Sequence, residues 1–515
     1  MTTLFSNPGS TEVPLLSGLP DDFRFVLALH EGSVVGIATG WAIATGAPGL
    51  VILHTTAGLG NAAGALATAR VNRAPLVVLV GQQDRRHLAL EPFLAGQRLQ
   101  ELAGSYPIWS EQPVRAQDVP AALLRAHHAA SAARGPALLV VPMDDWDARV
   151  ALDEPRAAPI RVERGLEQAS AAVLDELAVA LNAARAPAIV AGAGADDEGC
   201  WLALAELAIT LAAPVWQEPF GARAGFPQDH PLFTGHLPSS RGALRAALQG
   251  HDAILVVGAG AFRQYHYEPG ALAEAQARVF VLTQFAEEAH RSAAELALVA
   301  APAEACRALI SRLHPRQHRT EASLARPAPP PAPAGKDGLS TGHVLAALAE
   351  RLEVDTVLVE ECPSARTALH ARIPARRPMG YLSAAMGGLG FAIPAAIGVR
   401  MAQPERPVVA VVGDGSSLYA IQALWSAAQY RVGALFVILD NARYAIMDML
   451  AEQRGGRKPW PALSDIDIVG LARGFGCEAH RIERHDQLLA RLDEALPTLR
   501  ARSSPLLLDV SVDRE

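Results

Sequence analysis

Two short polar clusters, Gly413-Asp414-Gly415 and Asp440-Asn441, each interrupt a run of apolar residues in the stretch PVVAVVGDGSSLYAIQALWSAAQYRVGALFVILDNARY. Val408–Val412 reads as a strand buried on both faces. Ser416 and Ser417 then open a helix whose apolar face is Ile421, Leu424, Trp425 and Ala428. Ala434–Leu439 reads as a second strand. One helix between two strands makes them parallel neighbours, so Asp414 and Asn441 should emerge at the same carboxyl edge, where α/β sheets bind ligands. A carboxylate, an amide oxygen and a loop carbonyl are hard donors suited to Mg²⁺, with phosphate oxygens and water completing its shell. Gly413 and Gly415 let the backbone approach a ligand, and Gly415 and Ser416 offer N–H groups to phosphate. Either cluster alone is more often a plain turn. The two at successive strand ends are much more specific.

A second candidate lies near the amino end. FRFVLALHEGSVVGIATGWAIATG reads as a strand (Phe23–Leu29), a His-Glu turn and a helix with Val34, Val35, Ala38 and Trp41 inward. Glu31 stands at the junction. A glutamate in a first helical turn is also what the helix dipole favours, so position alone does not assign it a task.

Positioning such groups takes a large scaffold. The 515 residues suggest about three domains, and 50% hydrophobic against 19% charged residues supplies ample core and little sign of disorder. Apolar strands alternate with amphipathic helices throughout. Leu50–Leu53, Pro75–Val80 and Ala137–Val141 join Phe23–Leu29 in the first third; Ala188–Ala191, Ala253–Val257 and Arg278–Thr283 fall in the middle. Thr356–Val359 and Leu506–Val510 flank the two strands already described. The fold class is therefore α/β, three doubly wound parallel-sheet domains at 1–155, 160–325 and 339–515. RPAPPPAPAG (326–335) cannot continue a helix or central strand and begins an extended linker over 326–338. A weaker boundary lies near Asp153–Glu163.

A net charge of −8 without a long basic run argues against nucleic acid. Cys200, Cys306, Cys362 and Cys477 show no paired spacing and read as reduced thiols of a cytoplasmic protein. No signal peptide or membrane-length apolar run is visible. Gly192-Ala193-Gly194 and Gly258-Ala259-Gly260 lack a full dinucleotide fingerprint and read as tight turns, so FAD is not expected.

GDG followed by an asparagine after one helix and one strand resembles the diphosphate signature of thiamin-diphosphate enzymes. Essentially the whole chain resembles the 2-keto acid decarboxylases and carboligases of that family, benzoylformate decarboxylase above all. SNPGSTEVPLL, LHEGSVVGIATGWA, ILHTTAGLGNAAGALATA, VVLVGQQ, AMGGLGFAIPAAIGV and GDGSSLYAIQALWSAAQY carry the likeness. Acetolactate synthases share the architecture with a weaker match. The resemblance implies pyrimidine-binding, middle and diphosphate-binding domains. The metal ligands would be Asp414, Asn441 and the main-chain oxygen of Arg443, with Tyr444 beside the cofactor. The usual Asn-Asn has become Asp440-Asn441, but the ligating second position is kept. Glu31 would activate the cofactor at its aminopyrimidine. Leu389 would hold the cofactor bent, and the Gly387 carbonyl would take its amino group. Ser10 would contact the substrate carboxylate and His54 would relay protons, a task suited to an imidazole.

The chain also departs from the pattern. AFRQYHYEPG resembles a segment carrying a second active-site histidine, yet an ungapped match puts Tyr265 there, with His266 one place along. A phenol is a poor proton shuttle at pH 7, which leaves decarboxylation and carboligation both open. Ala445, Ile446 and Leu450 fall where relatives line the substrate pocket, and branched Ile446 points to a small aliphatic 2-keto acid such as pyruvate. His127 and His128 sit in a helix and read as surface residues. The family pattern places each cofactor between two subunits, so a homodimer or homotetramer is expected, with Glu31 and Asp414 meeting across chains. A non-catalytic, cofactor-binding regulatory relative is the remaining alternative.

Overall fold

The computed structural model describes residues 1–149, 169–316, 326–333 and 338–513. Its strands form three six-stranded sheets, every pairing parallel. The first contains β1 (Thr3–Asn7), β2 (Arg24–Leu27), β3 (Gly49–Leu53), β4 (Leu76–Gln82), β5 (Trp109–Glu111) and β6 (Pro136–Pro142). The middle one contains β7 (Pro187–Ala191), β8 (Val215–Gln217), β9 (Phe233–His236), β10 (Ala253–Val257), β11 (Arg278–Thr283) and β12 (Leu296–Val299). The last contains β13 (Val357–Glu361), β14 (Tyr381–Ser383), β15 (Val408–Gly413), β16 (Leu435–Asp440), β17 (Glu478–Ile482) and β18 (Leu506–Ser511). Every strand expected from an apolar run is present to within a residue or two. Their Val, Leu and Ile side chains are buried on both faces, as parallel strands covered by helices require.

The sheet orders reveal a symmetry that no sequence repeat announces. The first sheet runs β2-β1-β3-β4-β6-β5 and the last β14-β13-β15-β16-β18-β17, the same winding twice. The middle sheet, β12-β11-β10-β7-β8-β9, follows the Rossmann order instead. Equivalent helices of the two like-wound domains, α1 (Glu31–Thr45) after β2 and α3 (Ala392–Ala402) after β14, pack on each other. Between them in sequence, α2 (Thr55–Val71) follows β3. Glycines permit the α1–α3 crossing: a Cβ on Gly40 would lie 2.1 Å from the Ala395 carbonyl oxygen, and one on Gly398 1.9 Å from that of Ile37. The Leu27 N–H donates to the Tyr430 hydroxyl (2.7 Å) and Ser426 donates to the Leu27 carbonyl (2.8 Å). One apolar cluster consequently runs through both domains, from Phe5, Val51 and Leu59 to Ile393, Ile397 and Phe436.

The middle domain keeps its own core, although Trp201 and Ala224 pack into that of the last domain, and polar groups staple it further. Arg223 donates to the Asn72 and Ala193 carbonyls (3.2 and 3.0 Å) and pairs with buried Asp196 at 3.1 Å. Asn72 in turn donates to the Ser383 carbonyl and accepts from Ala385 N–H, both at 2.9 Å. At the seam with the last domain, His236 and His370 stack at 3.7 Å between ring centres. Burial pushes His370 down to about 3 and His236 well below the usual imidazole range. The stretch 326–333 has no regular secondary structure, as its prolines require, and Arg326 ties it to the Gln228 carbonyl (2.8 Å). The boundary expected near 153–163 and linker positions 334–337 lie outside the described residues. Among the described residues no helix is long and apolar enough to cross a membrane, and all four cysteines are buried and free.

Two outcomes test this packing. Glycine to alanine inside a helix ordinarily stabilises by about 1 kcal/mol. Gly40→Ala should instead destabilise the chain by about 2 kcal/mol, because the methyl meets a main-chain oxygen. A melting temperature at or above wild type would contradict the close crossing. For the histidine pair, the unfolded chain takes up protons below its ordinary pKa near 6.5 while folded His370 resists them down to about 3. Stability should therefore fall as pH drops from 6.5 toward 4, and His370→Gln should flatten that slope in thermal melts.

Candidate active site

β15 and β16 pair in parallel with Gly413 opposite Leu439, so both polar clusters leave the sheet at one edge. Asp414 is buried, and one of its oxygens accepts from Gly415 N–H at 2.8 Å. Its other oxygen and the Asn441 amide oxygen both accept from Arg443 N–H, each at 3.2 Å. Two side-chain oxygens thus converge at one turn, tightened by Ala442 at φ 57°. Burial pushes the Asp414 carboxyl up to about 7, and the Asp440 carboxylate beside it adds to the rise against the N–H groups that lower it. A carboxylate so placed calls for a cation, and the all-oxygen donor set fits Mg²⁺. A Cβ on Gly415 would lie 2.7 Å from the Tyr444 ring, so that residue must be glycine for Tyr444 to pack here. The single helix expected from Ser416 is instead two pieces, Asp414–Ser417 and Ala423–Gln429. Ser417 donates to the Asp414 carbonyl at 2.7 Å, and turns closing on Ser416 and Ser417 divide the helix. Ile421 and Leu424 are buried as expected, but Trp425 and Ala428 only half so.

On the first domain, Glu31 is the first residue of α1, and His30 caps the helix by accepting from Gly32 N–H at 3.0 Å. The Glu31 carboxylate accepts from Asn61 at 3.0 Å and lies against Gly58, in the opening turn of α2. His54 is the residue just before that turn. Glu31 and His54 therefore share the carboxyl edge of β1, β2 and β3. The NPGSTE segment wraps His54: its Nδ1 lies 3.1 Å from Glu12 Oε2 and 3.1 Å from the Thr11 hydroxyl. A Cβ on Gly9 would be 2.3 Å from the imidazole. Ser10, between these contacts, is exposed. Glu12 escaped the reading of the sequence, although it is only 1% exposed and joins Thr11 in fixing the His54 ring through Nδ1. Its only sequence signal is a position two residues past Ser10.

The loop before α3 presents Leu389 with 36% of its surface exposed, between Gly387 and Gly390, both at positive φ. A second unforeseen carboxylate fixes this loop. Glu361, at the end of β13, accepts from the main-chain N–H groups of Gly390, Phe391 and Ala392 at 2.5, 2.8 and 2.6 Å. Burial pushes it up to about 7 against those three donors.

Comparison with known proteins agrees with this geometry. The N-terminal TPP-binding, central and C-terminal TPP-binding domains of thiamine pyrophosphate enzymes match residues 1–103, 174–309 and 363–510. A benzoylformate decarboxylase of Pseudomonas aeruginosa is 39% identical over 99% of this chain and 96% of its own. The chain belongs to the thiamine pyrophosphate enzymes. Benzoylformate decarboxylase from Polynucleobacter necessarius superposes with a TM-score of 0.93 at 31% identity, covering 100% of this chain and 96% of that one. The thiamine diphosphate-dependent 4-hydroxybenzoylformate decarboxylase of Rhodococcus jostii RHA1 gives 0.91 at 35%, covering 99% and 96%.

Not every residue expected at the candidate site is gathered within the single chain. Tyr265 and His266 are exposed and packed on each other, Tyr265 also on Phe220, and these ring contacts do not reach Ser10, His54 or Asp414. Ile446 and Leu450 lie one turn apart on α4 (Ala445–Gln453), both half-buried. His127 is half-buried and His128 exposed on the helix Val119–Ala133. The two glycine turns of the middle domain close on each other, Gly194 N–H donating to the Gly258 carbonyl at 2.7 Å. The space beside them is about 30 Å³.

Asp414→Asn should raise the melting temperature of the ligand-free enzyme, since it removes a buried carboxylate. The same change should abolish the added stability that Mg²⁺ with thiamin diphosphate gives the wild-type enzyme. A ligand-induced shift of wild-type size in the variant would remove Asp414 from the ligand set.

Proposed function

We propose that the enzyme decarboxylates a 2-keto acid non-oxidatively, using thiamin diphosphate held through Mg²⁺ by Asp414, Asn441 and the Arg443 carbonyl. The observation that carries this reading is the pairing of an oxygen-lined turn on the last domain with a Glu31–His54–Glu12 edge on the first. Bound thiamin diphosphate supplies a carbon nucleophile and an electron sink for the electrons left by departing CO₂. Glu31 would hold or release a proton toward the bound cofactor, and Leu389 would support it from the loop before α3. His54, its Nδ1 steered by Glu12, presents Nε2 to the substrate oxygen and moves a proton there. Ser10 binds the substrate carboxylate.

Two subunits are part of the proposal. Within one chain, Glu31 is bonded to Asn61 and makes no recorded contact with the Asp414 edge. Met386, Leu389 and Tyr419 stand exposed and line one cavity with His30 and Asn61 of the first domain. Apolar side chains clustered in this way favour coverage by a second copy, whose Glu31 would face the cofactor. A homodimer, or two such dimers, would satisfy both observations.

Substrate choice rests on α4. Ile446, branched at Cβ, narrows that wall and favours a small aliphatic acyl group, pyruvate being the simplest. Similarity to decarboxylases named for benzoylformate supports an aryl group instead, so the ratio of kcat/KM for the two acids is the deciding measurement. Benzoylformate turned over far faster than pyruvate would overturn the aliphatic reading. Exposed Tyr265, where an imidazole is expected, supports a second outcome in which the acyl unit is joined to another carbonyl. Product analysis for aldehyde against hydroxyketone separates the two. Glu31→Gln should lower kcat by about 10²–10⁴ while leaving Mg²⁺-dependent binding of thiamin diphosphate in place. Retained turnover in that variant would refute the assignment of Glu31.

A further inference from the structure

Asp440 stands where the family signature carries a neutral amide, so this chain places an extra carboxylate immediately before the ligand Asn441. That charge is engaged on both oxygens. Asp440 Oδ1 accepts from Ala442 N–H at 2.9 Å, and Oδ2 accepts from the Arg481 guanidinium. Arg481 also donates to Asp509 at 2.6 Å. Topology makes this possible: β18 lies between β16 and β17, and Arg481 on β17 is in register with Asp509 on β18. From there its long side chain reaches across to the end of β16. Asp509 is buried to 2% and Asp440 is half-buried, so neither charge is fully relaxed by water. The three groups form one wall of a polar cavity of about 600 Å³ that also includes Asn441.

Resting on the Mg²⁺ reading above, we propose that Arg481, braced by Asp509, sets the affinity of the diphosphate edge for its cation by holding Asp440 outside the coordination shell. Two carboxylates and one guanidinium leave a single negative charge beside the metal turn. Arg481 is a positioning residue on this view. It offsets Asp440 electrostatically and turns its oxygen toward β17. Loss of Asp440 alone leaves the wall neutral and should weaken cation binding. Loss of Arg481 alone doubles the negative charge and frees an Asp440 oxygen, which should tighten it. Removing both restores the original charge.

The test uses the full-length enzyme with thiamin diphosphate at a fixed saturating concentration, titrating Mg²⁺ and following tryptophan fluorescence. Asp440→Asn should raise the half-saturating Mg²⁺ concentration about tenfold, the scale of groups one shell out from a metal. Arg481→Gln should lower it by a similar factor, with a larger drop for Ca²⁺, which accepts more oxygen ligands than Mg²⁺. Asp440→Asn/Arg481→Gln should return within about twofold of wild type, and Arg481→Lys should stay near it. An unchanged midpoint in Asp440→Asn, or a double variant no closer to wild type than that single one, overturns the inference. Wild-type binding of thiamin diphosphate that ignores Mg²⁺ would instead overturn the cofactor reading, so the two failures are distinguishable. Should Arg481→Gln fail to fold, Asp440→Asn and the double variant still decide the matter.

Discussion

Parallel pairing is the constraint from which the site follows. When neighbouring strands run the same way, every strand delivers its next residues to one edge, and groups far apart in sequence meet there. Gly413 opposite Leu439 brings Asp414 and Asn441 to a single backbone N–H. The same rule on the first sheet places Glu31 after β2 and His54 after β3, over the opening turn of α2. Neither half requires an unusual backbone to gather its groups, beyond Thr55 at φ 40° next to His54 and Ala442 at φ 57° next to Asn441. Both lie beside proposed functional groups, where such local strain tends to concentrate.

The like winding of the first and last domains adds a second level. Packing α1 on α3 buries one face of each domain within the chain and fuses their cores. It also sets the Glu31 turn and the Leu389 loop at corresponding places, each at the start of a helix that follows the second strand of its sheet. A two-domain unit of this kind carries one half of a cleft on each domain. Pairing with a second copy would complete both halves at once, which is the economy behind the proposed dimer.

Legibility in the sequence followed distance along the chain. Most strands with four or more consecutive apolar residues are readable, Leu296–Val299 being an exception, whereas Trp109–Glu111, Val215–Gln217 and Tyr381–Ser383 are too short to show a period. The strand–helix–strand logic around Asp414 is local and could be read directly, although two serines divide its helix. Resemblance supplied what locality could not, assigning Glu31, His54 and Leu389. Glu12 and Glu361 stayed hidden because what they hold is remote: His54 lies on a different strand end, and Gly390 to Ala392 follow an intervening helix and strand. A buried acid in sequence looks like any surface acid until its donors are known.

Burial sets the two hidden acids beside Asp414. Glu12, Glu361 and Asp414 are each buried, and two of them are pushed up to about 7 by that burial. An apolar side chain at any of these positions would favour stability, since a buried charge lowers it unless every oxygen is satisfied. Glu361 is satisfied by three backbone donors and Glu12 by Gly9, Thr11 and His54, so each ties its neighbours in one geometry. Asp414, like Glu361, stays raised because its backbone donors oppose burial without cancelling it, but it differs in sharing a donor, the Arg443 N–H, with the Asn441 oxygen. A turn that brings a second side-chain oxygen to a buried acid concentrates cation affinity at a single point. The Asp440–Arg481–Asp509 wall obeys the same logic, spending its guanidinium on the neighbouring carboxylates rather than on Asp414.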